Sequence, residues 1–229
     1  MALIMLPSTR DIRSAVEEEV AAAGGTVSEC FTDGRRLFLR SILPCAKQVR
    51  AGDEVRGGVA VTARDREICV MPYTFREVCR NGAIMSHVIE TRRVSRVEFD
   101  APADLISEVL AEVREQVRRY AAAEVFAAVA DRLEAAAITP ADVAIDLIPL
   151  LARLPQDRSE EFAVGIFSRF SEEGDDSLFG LMNAVTRVAR DEPDPQTRWD
   201  LEELGGGVPA LVRPFRKPAG TAAHFVQSG

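Results

Sequence analysis

The sequence predicts an α+β protein in which an antiparallel sheet of two hairpins plus a further strand is followed by a long helix and a C-terminal helical region. Two observations lead to this prediction. Short apolar segments joined by tight-turn sequences fill residues 26–99, and short connections favour antiparallel pairing. From residue 102 onward, apolar residues recur at helical spacing. We expect an N-terminal helix and the sheet in residues 1–100, helices on or beside the sheet in residues 101–210, and a flexible tail over residues 211–229.

The first elements are predicted from capping and turn residues. Residues 8–23 have the apolar spacing of a short helix, with Ser8 or Thr9 as its N-cap and Gly24-Gly25 as its stop. The pair Asp33-Gly34 separates two apolar segments. It predicts the first hairpin, because Asp and Gly tolerate the positive φ angles that such a turn needs.

A second hairpin and one more strand complete the predicted sheet. Residues 53–63 and 66–72 flank a turn at Arg64-Asp65, and residues 87–99 supply the further strand. Between the fourth and fifth strands, Thr74 and Glu77 have the spacing of a capping box. A short helix is therefore expected there, with Asn81-Gly82 as its left-handed stop.

The second half of the chain is predicted to be helical. Residues 102–136 contain no glycine or proline after Pro102 and would form one helix about 50 Å long. Two interpretations stay open: this helix packs along the sheet with a polar outer face, or it mediates oligomerisation. The remaining predicted helices cover residues 140–153, a segment from Asp157 or Ser159 to Gly174, a segment capped by Ser177 that runs through Arg190, and Arg198–Leu204 before Gly205-Gly206-Gly207.

Composition and missing motifs argue against several classes of function. No apolar segment is long enough to span a membrane, and the apolar opening is too short for a secretory signal, so we expect a cytoplasmic protein. The cysteines Cys30, Cys45, Cys69 and Cys79 form no C-x-x-C pair. With two histidines in the whole chain, they give no ligand set for a metal, and no cofactor is expected.

Catalytic signatures are also missing from the sequence. There is no phosphate-loop motif and no nucleophile motif, and His87 lacks a nearby orienting carboxylate. The acidic segment 171–177 is interpreted as a solvated loop, with cation binding left open. We therefore expect no catalytic site, no metal site and no enzymatic activity.

Charge is distributed unevenly along the chain. The net charge of the whole sequence is −8, but residues 26–96 carry thirteen basic and eight acidic side chains, a balance of +5. Residues 97–229 have a balance of −11. The predicted sheet region is thus locally basic, whereas the acidic balance of the helical region favours either a basic partner or simple solubility.

Three segments resemble a phage/plasmid-like protein family that is classed as a domain of unknown function. They are LFLRSILP with AGDEVRGGVAV, VMPYTFREVCRNGAI, and LMNAVTRVARDEPDPQTRWDLEELGGGVPA. The shared features are a glycine-containing second hairpin, a box formed by Arg76, Cys79, Asn81 and Gly82, and the segment Asn183–Thr186. The resemblance covers most of residues 30–210. It implies mobile-element ancestry and fold, in a short form, but no assigned catalytic residues.

Two functional hypotheses follow. In the first, the protein binds nucleic acid, with single-strand DNA binding or annealing as its role. The predicted order of helix, hairpins and long helix is similar to that of ring-forming annealing proteins, and self-association is expected. In the second, the protein is a non-catalytic interaction, assembly or inhibitor protein that acts through its acidic helical surface.

The nucleic-acid hypothesis names testable residues. In strand 55–62, the face formed by Arg56, Gly58, Ala60 and Thr62 is small and polar, so a strand could approach it closely. Arginine forks suit phosphates, and aromatic rings such as Tyr73 and Phe75 suit exposed bases. The predicted nucleic-acid-binding residues are Arg35, Arg36, Arg40, Arg50, Arg56, Arg64, Arg66, Tyr73, Arg76 and Arg80.

Overall fold

The computed structural model describes residues 7–64, 67–86, 93–95, 103–152, 154 and 158–212. The strands are β1 (Thr26–Thr32), β2 (Leu37–Ile42), β3 (Ala46–Arg50), β4 (Asp53–Arg64), β5 (Glu67–Arg76), β6 (Asn81–Ile84) and β7 (Arg93–Ser95). The helices are α1 (Thr9–Ala22), α2 (Ala103–Tyr120), α3 (Ala123–Ala137), α4 (Ile148–Leu151), α5 (Ser159–Glu173), α6 (Leu178–Asp191) and α7 (Pro195–Gly207), with a π-helical turn at Val143–Leu147 and a 3-10 turn at Val208–Leu211.

The predicted α+β class is confirmed. The sheet is antiparallel and has the order β1-β2-β4-β5-β6, with β3 beside the first part of β4 and β7 beside the first part of β5. Both predicted hairpins form, β1 with β2 and β4 with β5. Strands β3 and β6 were not predicted. Of the proposed strand over residues 87–99, the described part is β7, and the rest lies outside the described residues. No helix in the described ranges is long and apolar enough to cross a membrane.

One face of the sheet is covered by α1 and α2. Helix α1 begins as the sequence predicts, because the Ser8 hydroxyl accepts a hydrogen bond from the backbone N–H of Asp11 and the Asp11 carboxylate accepts one from the N–H of Ser8. The apolar side chains that pack between these helices and the sheet include Ile12, Val16, Val20, Leu37, Leu39, Val59, Val61, Ile68, Val113, Val117 and Tyr120. This face is a closed apolar core.

The opposite face of the sheet is covered by α7 of the same chain. Ala60 and Thr62, expected on an open polar face, are almost fully buried. Trp199 of α7 is fully buried, and its ring lies 6.0 Å from the ring of Phe38 on β2. The small side chains of β4 leave room for a helix of the same chain. A nucleic-acid strand therefore does not reach the middle of this face.

The predicted 102–136 helix is wrong in one respect, because it is two helices. Helix α2 ends at Tyr120, and Ala122 has an extended backbone with φ −66° and ψ 141° before α3 begins. Tyr120 is buried against the sheet, whereas Val129 and Leu133 of α3 pack with α5, α6 and α7 in a separate helical core. The chain turns at Ala121 and Ala122, two residues that give no sequence signal, and the far end of α3 then lies in the second core.

The short helix expected over residues 74–82 is also wrong. Strand β5 continues to Arg76, where it pairs with Val55 of β4, and Asn81 then begins β6. Thr74 is therefore a strand residue, because the ladder with β4 outcompetes a helix of one or two turns. Thr74 and Glu77 have the sequence spacing of a capping box, but they do not cap a helix.

The later helices follow their capping residues more closely. Helix α5 ends at Gly174 in the left-handed conformation, and the Ser177 hydroxyl caps α6 by accepting a hydrogen bond from the N–H of Gly180. The segment predicted as a helix over 140–153 is a π-helical turn followed by α4. Helix α7 starts earlier than predicted, with Asp194 as its N-cap, and runs through all three glycines to Gly207.

Two of the sequence boxes meet between the sheet and the helical core. The Asn81 side-chain amide on β6 donates hydrogen bonds to the Thr186 hydroxyl and to the Asn183 carbonyl oxygen on α6. All three residues are almost fully buried. These hydrogen bonds join β6 to α6. Asn81 of the Arg76–Gly82 box and the segment Asn183–Thr186 thus have a structural role.

Candidate anion-binding groove at the end of the sheet

Three of the ten predicted nucleic-acid-binding residues are held in interactions inside the protein. Arg40 is 2% exposed, and its Nε lies 2.6 Å from the Glu202 carboxylate. Arg76 makes a bidentate pair with Asp53, with both N–O distances at 2.7 Å. Arg50 donates to Asp175, Ser177 and the Ala137 carbonyl oxygen and so links the sheet to the helices. A phosphate would have to compete with these contacts for all three guanidinium groups.

A second group lies at the turns of the two hairpins. Arg35 and Arg36 are in the β1–β2 turn, and Arg64 ends β4 beside it, because Leu37 pairs with Ala63. Arg36 forms an ion pair of 2.8 Å with Asp33. Arg66 lies outside the described residues. The hairpin turns thus gather arginines at one end of the sheet.

Arg56 and Arg80 lie at the other end, beside a groove on the face that carries α7. Eight residues of extended strand separate Arg56 from Arg64, a distance of about 26 Å. Strand pairing sets Arg56 next to Phe75, and Phe75 next to Gly82. The groove has a volume of about 430 Å³ and is lined by Ser28, Glu29, Ile42, Tyr73, Phe75, Glu77, Arg80 and Arg198. A volume of this size is typical of small-ligand sites.

Arg80 is the residue of this groove that is best placed for an anion. It is exposed, and among the residues that the structure describes it has no carboxylate within ion-pair distance. Its φ is 51°, the only positive value at a non-glycine residue in the described part of the chain. This conformation costs free energy for a side chain with a Cβ, and such residues concentrate at binding sites. The tight turn between β5 and β6 thus presents an unpaired guanidinium to the groove.

The other groove cations are partly neutralised. Arg56 Nε lies 2.8 Å from Glu77, and Arg198 lies 2.7 Å from Glu29 and 3.1 Å from Glu202. Behind them, Glu202 also bonds Arg40, so two arginines and two glutamates form one continuous network. Burial raises the pKa of the Glu202 carboxyl, against the opposing effect of the two arginines. The network fixes the wall of the groove and leaves Arg80 as its free positive charge.

The aromatic surface of the groove is Phe75 and not Tyr73. Tyr73 is 4% exposed, its hydroxyl points at the Gly82 backbone, and burial raises its pKa above the ordinary value. Phe75 is half-buried and faces the groove beside Arg56. A base could stack on Phe75 while its phosphate reaches Arg80. Tyr73 is instead a buried part of the groove lining.

Sequence reasoning missed part of this groove. Arg198 comes from α7, and Ser28 and Ile42 come from β1 and β2, far apart in the chain. No local pattern joins them. The described residues contain no group of three or more histidine, cysteine or acidic side chains that could hold a metal ion, and the groove has no nucleophile paired with a base. The groups present suit recognition of an anion beside an apolar ring, and they do not suit catalysis.

Comparison with known proteins identifies no relative. No protein-family model matches the chain, and neither the curated proteins nor the solved structures contain a match. The resemblance to a phage/plasmid-like family therefore stays a prediction.

Proposed function

We propose that this protein binds single-stranded nucleic acid, with a base on Phe75 and the adjoining phosphate on Arg80. The observation that supports the proposal is the unpaired Arg80 in a left-handed turn beside an accessible aromatic ring. Single strands are favoured because their bases are free to stack on an aromatic side chain, whereas those of a duplex are not. No catalytic group is required for this role.

The rest of the proposal is drawn from the sequence. The hairpin-turn arginines would contact the strand further along, about 26 Å from the groove. A role in annealing and a mobile-element origin remain part of the hypothesis. A cytoplasmic location would keep its four free cysteines reduced.

Self-association also belongs to the proposal. In the described part of the sheet, β1 pairs on one side only, and Phe31 on that strand is 38% exposed. An unprotected edge can accept a strand of another copy. Sedimentation of a 25.0 kDa particle at tens of micromolar would contradict this part alone.

The decisive experiment is a binding titration with labelled single- and double-stranded oligonucleotides at several salt concentrations. Phe75→Ala should weaken single-strand binding by about 5- to 150-fold, since one base–aromatic stack contributes about 1–3 kcal/mol. Arg80→Gln should weaken it and reduce the salt slope by about 0.7, the value for one phosphate contact on a single strand. Arg132→Gln, at an exposed arginine of α3, is the matched control and should change little.

Three outcomes would refute the proposal. The first is no binding to either strand form at low salt. The second is a Phe75→Ala or Arg80→Gln protein that binds as tightly as the wild type. The third is an equal loss in Arg132→Gln, because this would indicate diffuse attraction rather than a groove.

A further inference from the structure

The only two asparagines of the chain meet at one buried place between the sheet and the helical core. Asn81 begins β6 and is 3% exposed, and Asn183 lies in α6 and is 1% exposed. Asparagine is mostly found at the surface, because its amide offers two donors and an oxygen acceptor that all need hydrogen-bond partners. The partners of these two amides therefore decide what this place can bind.

The protein supplies only part of the hydrogen bonds that the two amides need. The Asn81 nitrogen donates to the Thr186 hydroxyl and to the Asn183 backbone carbonyl oxygen. Asn81 Oδ1 and both polar atoms of the Asn183 amide are buried and make no hydrogen bond within the described part of the protein. Buried polar atoms without a partner are rare, because each one loses its hydration without compensation. Three of them on two neighbouring side chains indicate an internal ligand.

A small cavity lies against both amides. Thr74 and Thr186 line it with them, and its volume is about 10 Å³ for a sphere the size of a water molecule. A buried water needs roughly 10–15 Å³ on this measure and about three hydrogen-bond partners. The Thr74 hydroxyl is a third polar group for it, since its own bond to the Ala83 carbonyl oxygen is long, at 3.5 Å. Both the size and the polar groups match one water molecule.

Other ligands fit these groups less well. Ca²⁺ and Mg²⁺ take about six or more oxygen ligands, and the guanidinium group of Arg76, which also lines the cavity, repels a cation. An anion would find one unpaired donor, Asn183 Nδ2, because Arg76 is already bonded to Asp53. An apolar ligand would leave the amides unpaired. Water both donates and accepts, so it suits the mixture of oxygen and nitrogen atoms.

We propose that one ordered water molecule binds in this cavity, where it donates to Asn81 Oδ1 and bonds the Asn183 amide and the Thr74 hydroxyl. It completes the connection of β6 to α6 directly after Arg80 in the chain. Buried waters with several hydrogen bonds are costly to remove. The water is thus a fixed part of the fold beside the β5–β6 turn, and it does not depend on nucleic-acid binding.

The test uses the full-length protein labelled with ¹⁵N at asparagine alone, because only two side-chain amides then give NMR signals. A bound water gives NOE and ROE peaks of opposite sign at these amide protons, whereas exchange with solvent gives peaks of the same sign. We expect peaks of opposite sign at the Asn183 and Asn81 amides. A high-resolution crystal structure of the wild type should contain a water within hydrogen-bond distance of Asn81 Oδ1 and the Asn183 amide.

Two variants separate the water from its surroundings. Asn183→Leu keeps nearly the shape of the side chain but removes its polar atoms, so the water peak at the remaining Asn81 amide should be lost. Gln48→Leu removes an exposed amide on β3 and should leave the peaks unchanged.

Three results would overturn the proposal. The first is the lack of opposite-sign peaks at both amides of the wild type. The second is an undiminished Asn81 peak in Asn183→Leu, which would assign the signal to the threonine hydroxyls. The third is a crystal structure in which the two amides bond each other directly and no water lies between them. The wild-type measurements decide the question alone if Asn183→Leu does not fold.

Discussion

Alanine should have opposite effects on stability at two helical glycines, Gly206 in α7 and Gly165 in α5. Gly206 lies where α7 contacts β6. A Cβ on Gly206 would lie 1.9 Å from the Ile84 carbonyl oxygen and 2.5 Å from its carbonyl carbon. Since real Cβ contacts are almost never below 3.0 Å, α7 would have to move by about 1 Å. Backbone atoms cannot rotate away as a side chain can. The substitution must therefore shift the whole helix from the sheet.

The size of the effect follows from two opposing contributions. Alanine is more favourable than glycine inside a helix by about 1 kcal/mol. Overpacking of a close contact costs about 1–3 kcal/mol and sometimes more. Movement of α7 also loosens the packing of Trp199, which is fully buried. We expect Gly206→Ala to lower the free energy of unfolding by about 1–3 kcal/mol.

Gly165 in α5 is the matched control. A Cβ there would meet Val188 at 3.5 Å, an ordinary contact, so only the helix preference changes. Gly165→Ala should stabilise the protein by up to about 1 kcal/mol. Urea titrations that follow the fluorescence of the single tryptophan would measure both variants. The reasoning fails if Gly206→Ala is as stable as the wild type, or if both variants lose the same stability.

Three further predictions concern the arginines and their partners. Hydrogen bonds from the backbone N–H of Arg36, and then from its side chain, lower the pKa of Asp33 to about 2. The stabilising effect of the Asp33 carboxylate should therefore be present above pH 3.8 and be lost as the pH falls toward 2. A carboxyl titration by NMR with a midpoint near 4 would contradict this. Arg40→Met should cost about 3–5 kcal/mol because it leaves a buried carboxylate without its closest partner, whereas Arg13→Met, at an exposed ion pair, should cost less than about 1 kcal/mol in the same denaturation assay. Replacing Arg35 and Arg36 together with glutamine should weaken the binding of long single strands and flatten the salt dependence of that binding. The affinity for short oligonucleotides that fill only the groove should not change. Equal affinity of wild type and variant for the long strand would exclude the hairpin turns from the binding surface.

Local chemistry in the sequence determined many element boundaries. Ser8, Gly174 and Ser177 were identified as caps or stops, and each acts as such in the structure. Asp33-Gly34 similarly marked the first hairpin, whose turn has Gly34 at φ 86°. These signals work because a cap or a tight turn satisfies its own hydrogen bonds within a few residues, so the local sequence contains all the partners.

Tertiary packing decided the elements that local signals described wrongly. Thr74 lies in a strand and not at a helix start, because the hydrogen bonds of β5 along β4 stabilise the chain more than one short helix would. The glycines 205–207 stayed helical because Gly206 permits α7 to touch the β6 backbone. The break at residues 121–122 lets the far end of α3, with Val129 and Leu133, join the second core, while α2 stays on the first.

The candidate groove shows most clearly what the sequence could not decide. Its basic composition identified Arg40 and Arg80 equally, since both are arginines in the strand-rich segment. The fold buries Arg40 against Glu202, 162 residues away, and leaves Arg80 exposed in a strained turn. The sequence by itself determined that the sheet region is arginine-rich. Only the tertiary structure decided which arginines are neutralised, because ion-pair partners are set by distance in space and not by position in the chain.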